Sequence, residues 1–86
     1  MYLHLGQNIV VPEASVIGIF DLDNTTGSRI TRKFLNEAEK SGRITTVSDD
    51  LPKSFVICEE GKGPKIFLSQ LSSQTLLKRL ETMRFE

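Results

Sequence analysis

Apolar and polar positions trade places from the second residue. Tyr2-Leu3-His4-Leu5 predicts a strand with one buried face. Gly6-Gln7-Asn8 turns the chain, and Asn8–Pro12 reads as a short second strand that Pro12 stops or holds at an edge. Ser15–Leu22 is rich in β-branched and aromatic residues and predicts a third strand. On strict alternation Ile17 and Ile19 face one way, and Val16, Gly18 and Phe20 the other. Both faces are apolar, so this strand should be covered on both sides, by helices or by a partner chain.

After a loop of turn formers, Asp23–Ser28, the period changes. Ser28 can N-cap a helix to about Ser41, with Gly42 at its C′ position. Ile30, Phe34 and Ala38 form its expected buried stripe, with Leu35 beside it. Arg43–Val47 predicts a strand and Ser48–Pro52 a turn. Lys53–Glu60 and Pro64–Gln70 predict a hairpin across Gly61-Lys62-Gly63. Ser72 can cap a last helix whose apolar positions are Leu76, Leu77, Leu80 and Met83. The order β-β-β-α-β-β-β-α predicts an α+β fold: one small, mostly antiparallel sheet with two helices in a single domain, residues 1–86. It lacks the alternation of a doubly wound fold.

Length changes the picture first. A chain of 86 residues builds one modest core, and oligomerisation is a natural supplement. No apolar run is long enough to span a bilayer, so no membrane is expected as a partner. The first residues lack the basic and small-residue features of a signal peptide. The single cysteine, Cys58, excludes an internal disulfide and points to a reducing compartment, the cytoplasm.

Charge changes it next. The formal net charge is +0, which argues against a broadly basic nucleic-acid binder. The charges are nevertheless segregated. Arg29, Arg32, Lys33, Lys40 and Arg43 outweigh Glu37 and Glu39 in the middle of the chain, whereas Asp49, Asp50, Glu59 and Glu60 surround Lys53. Such segregation can give an electroneutral protein one basic face.

The candidate chemistry is thin. Phe20-Asp21-Leu22-Asp23-Asn24-Thr25 matches the nucleophile motif of haloacid dehalogenase-type phosphatases, in which two aspartates flank Mg²⁺. That chemistry also needs a downstream Lys followed by an acidic pair. Here Asp49-Asp50 precedes Lys53, and the chain is too short for the parallel sheet that would gather these groups. Asp21 and Asp23 then read as a strand end. No enzyme, cofactor or metal site is expected. His4 has no second His or nearby Cys with which to ligate a metal. Cys58, inside an apolar strand beside two glutamates, reads as a small buried hydrophobe. Gly61–Lys65 lacks the strand–loop–helix context of a phosphate cradle.

Several segments together resemble the RemA/RemB family of bacterial extracellular matrix (biofilm) regulators, on its RemB side. They are MYLHLG at residues 1–6, NIVV at 8–11, VIGIFDLDN at 16–24, RKFLNEAEKSG at 32–42, PKSFVI at 52–57 and IFLSQLSSQTLLKRL at 66–80. The resemblance runs from Met1 to about Leu80. It implies a cytoplasmic transcription regulator with a LytTR-like protomer, a ring-shaped homo-oligomer and DNA as partner, many weak phosphate contacts adding through avidity. It also implies a RemA-like protein as a further partner if the chain does not itself contact DNA. RemA-like chains carry arginine where this one has Ser15, and an arginine pair in the turn that here reads Asp50-Leu51-Pro52. The remaining DNA-binding candidates are Lys53, the basic residue left in that turn, and Arg29, Arg32, Lys33 and Arg43. Arg29, Arg32 and Lys33 lie at a helix N-terminus, where cations are unfavourable for the helix itself. DNA binding should be electrostatic and weakly selective, because in that turn Lys53 offers only a mobile point charge where the resemblance implies arginine's fork.

Overall fold

The computed structural model describes residues 1–22, 29–59 and 61–84. Strands β1 (Tyr2–Gly6) and β2 (Ile9–Pro12) form an antiparallel hairpin that is a sheet of its own. A short 3₁₀ turn, Glu13–Ser15, leads into β3 (Val16–Asp21). Helix α1 (Arg29–Lys40), β4 (Ile44–Thr46), β5 (Ser54–Glu59), β6 (Pro64–Ser69) and α2 (Ser73–Arg84) follow. The second sheet has four strands in the order β3-β5-β6-β4. The expected α+β order is therefore present, with two sheets in place of one. All pairings are antiparallel except β4 with β6, which is parallel.

Alternation along β5 and β6 gives the four-stranded sheet two apolar faces. Val56, Cys58 and Phe67 meet Leu3 and Leu5 of β1, Val11 of β2 and Leu76 of α2 in one cluster. Phe55 and Ile66 point the other way and meet Ala38 of α1, with Leu35, Ile44 and Leu68 beside them. The molecule is thus layered: α1, then the sheet, then the β1-β2 hairpin with α2. Full burial of each such Leu, Ile or Val contributes about 1.5–3 kcal/mol. Cys58 is fully buried, as its apolar strand implied.

Buried polar groups tie the layers together. The Ser69 hydroxyl donates to the Leu5 carbonyl at 2.6 Å and accepts the Leu71 N–H at 3.0 Å. Ser54 Oγ donates to the Leu71 carbonyl at 2.8 Å. Both helix ends expected from sequence are present. The Thr75 N–H donates to Ser72 Oγ at 3.2 Å, an N-cap on α2. Gly42 has φ +70, and the Arg43 N–H reaches the Ala38 carbonyl at 2.9 Å, a Schellman end to α1. The Ser28 cap, Asp23 and the Met83 side chain lie outside what is described.

Two expectations are corrected. The stripe on α1 is buried only at its C-terminal half. Ala38 is buried and Leu35 half-buried, but Ile30 is 82% and Phe34 36% exposed. The helix seats on the sheet through Ala38 and Leu35, and its first turns project past that contact. In β3 the register shifts between Val16 and Gly18, a bulge at Ile17. The extra residue sends Val16 and Ile19 to the same cluster and leaves Ile17 61% exposed.

Candidate nucleic-acid interface

Helix α1 has two unlike sides. Leu35 and Ala38 face the sheet. Arg29, Arg32, Lys33, Asn36 and Lys40 recur three, four and seven residues apart and are exposed on the outer side. Together with Glu37 they line one shallow depression. The structure thus gathers Arg29, Arg32 and Lys33, and adds Lys40, which sequence reasoning had counted only as charge. Four cations against one carboxylate repel one another, and an anion laid along the helix relieves that repulsion.

Arg43 and Lys53 are not part of this surface. Arg43 follows the Schellman end and lines a separate cleft with Phe34, Glu37 and Pro64. Lys53 is exposed at the end of β5, its N–H on the Ser69 carbonyl at 2.8 Å and its carbonyl taking the Leu22 N–H at 3.0 Å. That backbone is fixed on both sides, so Lys53 projects from a rigid edge. The preceding turn carries Leu51, 86% exposed, and Pro52, which with Leu22, Leu35 and Leu68 surround an apolar depression. Ser15, at the other position where arginine was expected, donates its hydroxyl to the Pro12 carbonyl at 2.7 Å and closes the 3₁₀ turn. Asp21 ends β3 opposite Ser54.

A second basic surface was missed. On α2, Thr75, Lys78, Arg79 and Thr82 share one face and pack along the exposed side of β1, where Tyr2 and His4 point outward. The spacing of three, four and seven residues was legible in the sequence. That this face meets β1 was not, because the two segments lie at opposite ends of the chain. They are also the two end segments, MYLHLG and LSSQTLLKR, that carried the resemblance.

Sequence comparison places this fold in a known class. Residues 2–80 match the model of the RemA-like family, described as extracellular matrix regulatory protein A-like, and the chain belongs to that family. Among its relatives is extracellular matrix regulatory protein B of Bacillus subtilis (strain 168). It is 35% identical over 83 residues, which cover 96% of this chain and 94% of that protein. Among the described residues no helix is long and apolar enough to cross a membrane.

Proposed function

We propose that the protein is a cytoplasmic, DNA-associated transcription regulator of extracellular matrix genes that acts as a homo-oligomer. The observation that carries this reading is the outer face of α1, where Arg29, Arg32, Lys33 and Lys40 stand together in an otherwise electroneutral chain. Phosphate contacts from such a stripe carry little sequence information. Affinity then comes from several copies presenting the same stripe to successive backbone segments. Lys53 adds one further cation per copy, opposed by its neighbours Asp49 and Asp50.

Assembly is supported by apolar side chains that the fold leaves outside. Ile17 on β3, Ile30 and Phe34 on α1 and Leu51 in the β4–β5 turn are all exposed. A small domain gains by covering them with a second copy. The second reading is an assembly module that pairs with a RemA-like protein and leaves DNA to that partner. It is favoured by Ser15, Leu51 and Pro52, which stand where the resemblance expects arginine and offer no cation to a phosphate. Fluorescence anisotropy of labelled duplex DNA separates the two. Under the first reading Arg29→Glu/Arg32→Glu weakens binding by the isolated protein and lowers its salt dependence. Under the second the wild type itself does not bind, and binding appears only when a RemA-like protein is added.

A further inference from the structure

Two exposed surfaces of opposite sign stand on opposite sides of the four-stranded sheet. Between β1 and α2 lies an open groove of about 970 Å³. Exposed Lys78 and Arg79 line it, and among the described residues no carboxylate does. Leu3 and half-buried Leu71, of the hairpin-side cluster, give it an apolar inside. Arg79 Nη1 donates to the His4 carbonyl at 3.3 Å, which holds that cation against β1. The other surface is the turn between β4 and β5. Asp49 and Asp50 are exposed there, followed by Leu51, the most exposed of the large apolar side chains described. Leu51 and Pro52 border the depression beside Leu35 and Leu68, which belong to the cluster on the α1 side.

The turn is held in place before anything docks. The Val47 N–H donates to the Leu68 carbonyl at 2.9 Å and the Lys53 N–H to the Ser69 carbonyl at 2.8 Å, which pins both ends. The Asp50 N–H donates to Ser48 Oγ at 3.1 Å inside it. A loop fixed in this way loses little freedom on binding. Neither carboxylate forms an ion pair with another described residue. An acidic pair beside a bare leucine complements a cation pair beside an apolar hollow, in charge and in surface to be buried. Within one chain the sheet keeps the two surfaces apart, so a second copy has to bring them together. We propose that the groove between β1 and α2 seats the Asp49–Pro52 turn of a second copy of this chain. Asp49 and Asp50 meet Lys78 and Arg79, and Leu51 enters against Leu71 and Tyr2. The proposal rests on the homo-oligomer reading and names its interface. The two patches are unlike, so the contact is head to tail and builds closed rings or open chains. It also takes away from DNA the two carboxylates that oppose Lys53. None of the α1 cations lines either surface, so the basic stripe stays free.

The test is light scattering during size-exclusion chromatography, at micromolar concentration and low salt. It compares wild type, a groove variant (Lys78→Glu/Arg79→Glu) and a turn variant (Asp49→Lys/Asp50→Lys). Each variant alone sets like charges against each other at every contact, and its mass should fall towards the 9.7 kDa protomer. In an equimolar mixture the acidic groove of one variant takes the basic turn of the other, and the unaltered groove takes the unaltered turn. The mass should then return to the wild-type value, a recovery that a misfolded variant does not give. Circular dichroism checks that each variant is folded. If the double groove variant is not, Lys78→Glu, which leaves the Arg79 bond to His4 in place, replaces it in both arms. A monomeric wild type removes the homo-oligomer reading and this contact with it. A wild-type oligomer whose mass neither variant changes, or folded variants that stay small when mixed, overturns this contact alone.

Discussion

Replacing Ser69 with alanine removes one oxygen from the seam that joins the two sheets. Ser69 is fully buried. Its hydroxyl donates to the Leu5 carbonyl at 2.6 Å and accepts from the Leu71 N–H at 3.0 Å. In the variant both backbone groups lose that partner, and no water has ready access to the Leu5 side. Each orphaned buried group costs about 1–3 kcal/mol. Because Leu71 is only half-buried and can rehydrate, the sum should be about 2–4 kcal/mol. That is a large share of the roughly 4–13 kcal/mol expected for a domain of this size. Urea denaturation at one fixed protein concentration measures it, with the slope m checked for constancy. Ser41→Ala is the control. Its hydroxyl makes the same kind of bond, to the Glu37 carbonyl at 3.0 Å, but at an exposed helix end, and it should cost less than about 0.5 kcal/mol. A Ser69→Ala protein within that margin of wild type would show that the seam does not hold the hairpin to the sheet.

At Gly18 a Cβ would lie 2.7 Å from the Phe20 ring, which stacks on Phe55 with ring centroids 5.0 Å apart. Gly18→Val should therefore cost about 1–3 kcal/mol by displacing that pair, and an unchanged urea midpoint refutes it. Wild-type protein at micromolar concentration should elute as an oligomer larger than a dimer by light scattering, and Phe34→Asp should reduce its mass; a clean monomer near 9.7 kDa removes the avidity argument. No hydrolysis of an aryl phosphate is expected with Mg²⁺ present, and turnover that Asp21→Asn abolishes contradicts that expectation.

Local order was legible wherever one residue type decides one conformation. Leu3 and Leu5 inside with Tyr2 and His4 outside follow from alternation. Gly42 and Ser72 mark helix ends because few other residues satisfy those backbone groups. The rest depended on partners distant in sequence. Ile30 and Phe34 contribute to an apolar stripe as fully as Ala38 does, and only the extent of the sheet beneath decides which are covered. The bulge at Ile17 is invisible because Val16, Ile17 and Ile19 suit either face. Parallel pairing of β4 with β6 is fixed by long-range bonds such as the Val47 N–H to the Leu68 carbonyl at 2.9 Å. For the candidate site, Arg29, Arg32 and Lys33 were read correctly as neighbours. Arg43 was grouped with them by charge and Lys53 was taken from the turn that the resemblance singles out, and the fold sends each to a different edge.

The central claim is that α1 holds DNA by its phosphates. Affinity for a labelled duplex, measured from about 50 to 200 mM salt, gives the slope of log K against log salt, near −0.9 per phosphate neutralised. Wild type should show a steep slope, and Arg29→Glu/Arg32→Glu should lower it by about two for each copy that touches the duplex. A wild-type affinity that is independent of salt, or a charge-reversed protein with the same affinity and slope, would contradict it.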